Sequence, residues 1–192
     1  MTHLYYVRHG ESIINAKGIW ANVIGSPFDL GLSELGKQQA AAAGQTCLDK
    51  KLSFDLFVVS PMQRTRETAA IIGDIINFPT DKIIYNPLLT ERKYAGLEGS
   101  SFHKFFEDHD YKDLDTVPGN ETLEQLQIRA AEALAYLKQL PAEIILVVGH
   151  AAFGRALQRA ILGRPYTDEY EGTTDATHDS IDIPHGKVVK LI

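Results

Sequence analysis

The sequence predicts an α/β protein, a three-layer α/β/α sandwich around a mostly parallel, mixed sheet. Three observations carry that prediction. Apolar runs at residues 4–7, Leu56–Val59, Ile83–Tyr85 and residues 144–148 have the length and β-branched character of strands buried on both faces. Segments of helical periodicity separate them, and strands alternating with helices imply a sheet covered on both sides. Residues 180–183 and 188–192 flank a Pro184-His185-Gly186 turn and read as a hairpin, which places an antiparallel strand near one edge.

The helices follow from caps and spacing. Ser33 caps a segment through Leu35, Ala40, Ala43 and Leu48. Pro61 occupies a first helical turn ahead of Thr68, Ile71, Ile72 and Ile75. Thr122 and Gln125 form a capping box before Leu123, Leu126, Ala130, Leu134 and Leu137. A last helix runs after His150 through Phe153, Leu157 and Ile161. Residues 17–32 and 96–120 lack such regularity and are expected to cover a substrate rather than to form a second domain. At 192 residues the chain is expected to be one domain over residues 1–192.

Charge narrows the function. The net charge is -6, which argues against general nucleic-acid or anionic-membrane binding, so an anionic ligand needs a local cluster of cations. The single cysteine, Cys47, excludes an internal disulfide and a cysteine-based zinc site, and suits a reducing compartment. No apolar run is long enough to span a bilayer, and the first residues lack the apolar stretch of a signal peptide. A cytoplasmic protein is expected, with its oligomeric state open and a homodimer among the options.

Ligands of open α/β sheets bind beyond the carboxyl ends of the strands. There the chain places Arg8-His9-Gly10-Glu11-Ser12 after the first run, Ser60-Pro61-Met62-Gln63-Arg64 after the second and Gly149-His150-Ala151-Ala152 after the fourth. Two arginines and two histidines on one rim of an acidic protein point to an anion site. Guanidinium forks and helix N-termini suit phosphate.

Arg8-His9-Gly10-Glu11 with Asn15, Ser60-Pro61-x-x-Arg64-x-x-x-Thr68-Ala69 and Gly149-His150 resemble the histidine phosphatase superfamily, the phosphoglycerate mutase-like proteins, in order over almost the whole chain. The resemblance implies a phosphoglycerate mutase-like fold, and a phosphohistidine intermediate on His9. It implies that Arg8, Arg64 and His150 clamp the phosphoryl group and that Asn15 donates to it. The segment Leu88-Leu89-Thr90-Glu91 resembles the family's general-acid segment, with Glu91 as acid and then base. Ala151 and Tyr94 complete the expected phosphate and substrate contacts. No metal or other cofactor is implied, and the expected partner is a small phosphorylated metabolite.

Other features have plainer readings. Glu98 is expected to be structural, and Arg66 to be solvated or ion-paired. The remaining histidines, His3, His103, His109, His178 and His185, fit no paired metal-ligand spacing. Residues 31–38 nearly spell a phosphate-binding loop, but Gln38 follows the lysine and no strand leads in. Glu121 and Thr122 could touch substrate, although capping explains them, and Trp20 and Phe102 could line the pocket mouth.

A phosphomonoester hydrolase is the preferred activity. Glu91-Arg92-x-Tyr94 resembles the mutases more closely. Those mutases, however, carry a longer insertion whose lysine and adjacent arginines grip a carboxylate. Residues 96–120 hold no arginine, only Lys104 and Lys112 amid five acidic residues from Glu107 to Asp115. A mutase-type phosphotransferase is the first alternative, and a non-catalytic phospho-ligand-binding protein the second.

Overall fold

The computed structural model describes residues 2–164 and 183–192. Its sheet contains β1 (His3–Arg8), β2 (Leu56–Val59), β3 (Ile83–Tyr85), β4 (Ile144–Gly149) and β5 (Val188–Lys190), in the order β3-β2-β4-β1-β5. All neighbours are parallel except β5, which runs antiparallel to β1 at the edge. The predicted hairpin therefore contributes a strand that pairs with the first strand of the chain. Its outgoing half, residues 180–183, lies outside the described residues except for Ile183.

Alternation along the strands builds two cores. Leu4, Tyr6, Val58, Ile145 and Val147 face α5 (Leu123–Gln139) and α6 (Ala151–Leu162). Val7, Phe57, Val59, Leu146 and Val148 face α2 (Glu34–Asp49) and α3 (Gln63–Ile76). Successive side chains of a strand point to opposite faces, so apolar residues at every position require a helical layer on each side. The predicted three-layer arrangement is the one observed. Short helices α1 (Ile13–Lys17) and α4 (Phe102–Phe105) sit in the connecting loops.

Two helices differ in detail from expectation. Ser33 does cap α2, its Oγ accepting from Gly36 N at 3.0 Å. Leu35 and Leu48, however, are 49% and 45% exposed. The packed stripe is Gly36, Ala40, Ala43, Gly44 and Cys47, whose small side chains let α2 lie close to α3. Pro61 precedes α3 instead of entering it. Met62 is the capping position and has no side-chain bond of its own. The free N–H of Gln63 donates to the Asp29 carboxylate at 3.0 Å, so a distant loop sets where the helix starts. The capping box of Thr122 and Gln125 on α5 is present as predicted.

The two irregular loops pair with each other. Trp20 N donates to Ser100 O and Gly99 N to Trp20 O, both at 2.9 Å. Glu98 accepts from Asn22 N at 2.8 Å and from Ser26 Oγ at 2.6 Å, the structural role expected of it. Arg66 places its guanidinium 4.6 Å from the centre of the Tyr85 ring. No helix among the described residues is long and apolar enough to cross a membrane. Cys47 is fully buried, and burial pushes its thiol up to about 11.

Candidate active site

The register of the central strands assembles the site. Arg8 lies opposite Gly149 in the β1–β4 ladder, so His9 and His150 follow side by side beyond the same edge. Their ring centroids are 5.1 Å apart. Ser60, one residue past β2, donates its N–H to Val148 O and stands close enough for its Oγ to meet His150 Nε2 at 2.8 Å. The Tyr6 hydroxyl donates to His150 O at 2.7 Å and holds that turn from beneath.

His9 is 3% exposed. Its Nδ1 contacts Gly10 O at 2.6 Å, and a carbonyl only accepts, so the proton resides on Nδ1. That leaves a lone pair on Nε2, which accepts from Arg64 Nε at 3.1 Å. Burial, followed by the charges of Arg64, His150 and Arg8, holds the His9 pKa well below the usual imidazole range. Burial and Arg64 do the same for His150. Two neutral imidazoles thus sit among cations. His150 Nδ1 is buried with no hydrogen-bond partner among the described residues.

Arg64 is 4% exposed and is fixed by Ala21 O at 2.9 Å and Asn22 Oδ1 at 3.4 Å, which ties it to the first loop. Thr68, one turn along α3, accepts from Gly10 N at 3.1 Å and donates to Arg64 O at 2.8 Å. Gly10 lies so close to the Gly36 backbone that a Cβ would collide with it, which accounts for glycine after His9. Asn15 accepts from Ser12 N at 3.2 Å and Ser12 Oγ at 2.8 Å through Oδ1, and this fixes its amide with Nδ2 as the remaining donor.

Glu91 reaches the start of α6. Its Oε1 accepts from Phe153 N at 3.0 Å and from Arg92 N at 2.9 Å, and its Oε2 accepts from Ala152 N at 3.2 Å. His150 offers α6 no side-chain cap, so the Glu91 carboxylate meets the first N–H groups of the helix in its place.

A cavity of about 270 Å³ opens above these groups. Arg8, His9, Asn15, Arg64, Glu91, Tyr94 and Ala151 all line it, so seven of the eight expected site residues meet there. His150 is the exception: it is wholly buried beside His9 and does not line the cavity. Trp20 and Phe102 do line it. Glu121 does not. It is 8% exposed and bound by Arg129, and Thr122 serves as the cap of α5.

Three contributors escape a reading of the sequence. Arg155 lines the cavity one helical turn beyond Ala151, a position readable from helical spacing once the start of α6 is known. His185 donates from Nδ1 to His9 O at 2.7 Å, and burial, then Arg8, lowers its pKa. Only the return of β5 beside β1 brings it there. Arg129 on α5 grips both Glu121 oxygens at 2.7 Å and donates to the carbonyls of Leu88, Thr90 and Glu91 at 2.8, 2.8 and 3.2 Å. It fixes the segment that carries Glu91, and no local pattern announces it. Among the described residues no group of three or more metal-ligating side chains converges.

Comparison with known proteins adds to this geometry. The model of the histidine phosphatase superfamily (branch 1) matches residues 4–187. The uncharacterized phosphatase PhoE of Bacillus subtilis is 32% identical over 167 residues, which is 85% of this chain and 79% of that protein. The probable phosphoglycerate mutase GpmB of Erwinia tasmaniensis is 32% identical over 177 residues, 88% of this chain and 79% of that one. Among solved structures, an open-reading-frame product of Mycobacterium tuberculosis superposes with a TM-score of 0.67 at 28% identity, covering 85% of this chain and 81% of the other.

Proposed function

Because the chain belongs to the histidine phosphatase superfamily, we propose that it is a phosphomonoester hydrolase working through a phosphohistidine on His9. The observation that carries this reading is the His9 Nε2 lone pair, held on a buried neutral ring at the floor of a cavity lined by Arg8, Arg64 and Glu91.

In the first step Arg64 Nε releases the His9 Nε2 lone pair, which forms a bond to phosphorus while the bond from phosphorus to the ester oxygen breaks. The departing oxygen takes a proton from the Glu91 carboxyl. Oε2 of Glu91 accepts only one N–H bond, from Ala152, and has a further lone pair for that proton. The transition state spreads charge over three equatorial oxygens. Arg8, Arg64, Asn15 Nδ2 and the Ala151 N–H at the start of α6 supply donors for them. His150, whose Nε2 lies 2.8 Å from Ser60 Oγ, packs beside His9 without lining the cavity. In the second step a water oxygen attacks phosphorus and gives its proton to Glu91. The bond to Nε2 breaks, and inorganic phosphate and the starting enzyme result. Fixed donors of this kind are each worth about 10²–10³ in rate. The guanidinium groups provide the charge such a reaction needs without a metal ion.

Similarity to a protein named as a mutase favours a second reading, transfer of the phosphoryl group to another hydroxyl. Two observations support hydrolysis over it. Among the described residues no lysine lines the cavity, and Arg92 is 2% exposed, with Nε donating to Glu121 O and the guanidinium paired with Asp115. Neither is available to hold a substrate carboxylate. The test is incubation with a panel of small phosphomonoesters in the presence of a chelator. Released phosphate, with acid-labile label on the wild type and none on His9→Ala, is expected. Interconversion of 2- and 3-phosphoglycerate without phosphate release would replace hydrolysis with the mutase reading, and activity abolished by the chelator would refute the metal-free mechanism.

A further inference from the structure

Besides its cationic residues, the cavity has a wall of aromatic rings. Trp20, Tyr94, Phe102, Phe106 and Tyr111 all line it. They come from the first loop, the segment after Glu91, and the second loop, so the wall forms only where the two irregular loops pair. The Trp20 ring lies 4.3 Å from Tyr94, 5.9 Å from Phe102 and 6.1 Å from Phe106, and Phe106 lies 4.5 Å from Tyr111. Tyr94 is buried behind Trp20, whereas Trp20, Phe102 and Phe106 keep part of their surface open and Tyr111 is 45% exposed. A ring cluster that leaves open surface around a cavity, beside a phosphate clamp, is apolar area kept for a ligand. Trp20 also has a buried Nε1–H with no hydrogen-bond partner among the described residues.

Charge restricts what this wall can hold. Glu107, Asp108, Asp110 and Asp113 flank Phe106 and Tyr111 along the chain, the first three exposed and Asp113 half-buried. Lys104 and Lys112 offset them only in part. Among the described residues the lysines and arginines that line the cavity are Arg8, Arg64 and Arg155, and Arg155 stands one turn from Ala151 on α6. The aromatic end therefore disfavours a carboxylate or a second phosphate and favours a flat, uncharged group.

Resting on the hydrolase reading, we infer that the substrate is a phosphomonoester whose alcohol portion carries an uncharged aromatic ring, which stacks on the Trp20–Phe106–Tyr111 wall while the phosphoryl group meets His9. The chemistry at phosphorus is unchanged; the ring supplies binding and orientation.

Two measurements test this separately from the hydrolysis itself. The first compares kcat/KM for 2-phenylethyl phosphate and butyl phosphate, whose leaving alkoxides are closely matched. The aromatic ester is expected to be about tenfold better. Phe106→Ala and Tyr111→Ala are each expected to lower kcat/KM for 2-phenylethyl phosphate about three- to fivefold more than for butyl phosphate. Tyr111 is exposed enough for its truncation to leave folding intact. The second measurement uses Trp20 as the only tryptophan of the chain. Titrating His9→Ala with 2-phenylethyl phosphate should change its fluorescence at concentrations where butyl phosphate does not. Equal kcat/KM for the two esters, or equal losses in the variants, overturns the inference. So does an indistinguishable fluorescence response to the two esters. If neither ester is turned over but fluorescence still separates them, the hydrolase reading fails and the ring site stands.

Discussion

Acidification below about pH 6.5 is expected to destabilise this protein through its own active site. His9 and His150 are 3% and 0% exposed, and burial together with Arg64 keeps both pKa values well below the ordinary range. His185 is shifted the same way by burial and Arg8. In the unfolded chain these rings titrate near about 6.5. Between that value and their folded pKa the unfolded state binds more protons, so the stability is fully present above about 6.5 and is lost as pH falls toward the folded values. One histidine contributes a slope of up to about 1.4 kcal/mol per pH unit. The two buried rings give about 3 kcal/mol per unit, and His185, only partly buried, adds less. Against a domain stability of about 5–15 kcal/mol, a fall of one or two pH units is substantial. Urea unfolding midpoints at about pH 7, 6 and 5 measure it. His9→Asn should lower the slope by about 1.4 kcal/mol per unit. Midpoints that stay level over this interval, or an unchanged slope in His9→Asn, would refute the reasoning.

Arg129→Ala should cost about 3–5 kcal/mol, because it strands the buried Glu121 carboxylate and frees the three carbonyls that frame Glu91. Thermal unfolding reads the loss, and a change below about 1 kcal/mol counts against the assigned role. The same variant should lose more activity on alkyl phosphates than on 4-nitrophenyl phosphate, since a loosened Glu91 matters most where the leaving oxygen needs a proton. Glu91→Gln should reduce turnover of alkyl phosphates by about 10²–10⁴-fold and that of 4-nitrophenyl phosphate much less. Equal losses on both would remove Glu91 from the acid role.

Much of this architecture is legible in the sequence, and the limits have physical causes. Strands such as residues 144–148 announce themselves because both faces are covered and every position is apolar. The gathering of Arg8, Arg64 and His150 is legible because Arg8 ends a strand, the other two closely follow one, and all strands of a parallel sheet end on one side. The stripe on α2 was harder to read, since Leu35 and Leu48 outweigh alanine and glycine on any hydrophobic scale while close helix packing selects the small residues. The Asp29 cap of α3, the hold of Arg129 on the Glu91 segment and the approach of His185 to His9 join partners distant along the chain. Spacing carries no trace of such pairs. Arg155 was readable only after the start of α6 was known.

The ladder in which Arg8 faces Gly149 gives the sheet a second duty. Sliding one strand by a single residue would displace its imidazole by about 3.3 Å and turn it toward the opposite layer. Alignment of His9 with His150 is thus set along the full length of two neighbouring strands, as far back as His3 and Ile144. A mutation at the remote end of that pairing therefore bears on where both imidazoles stand.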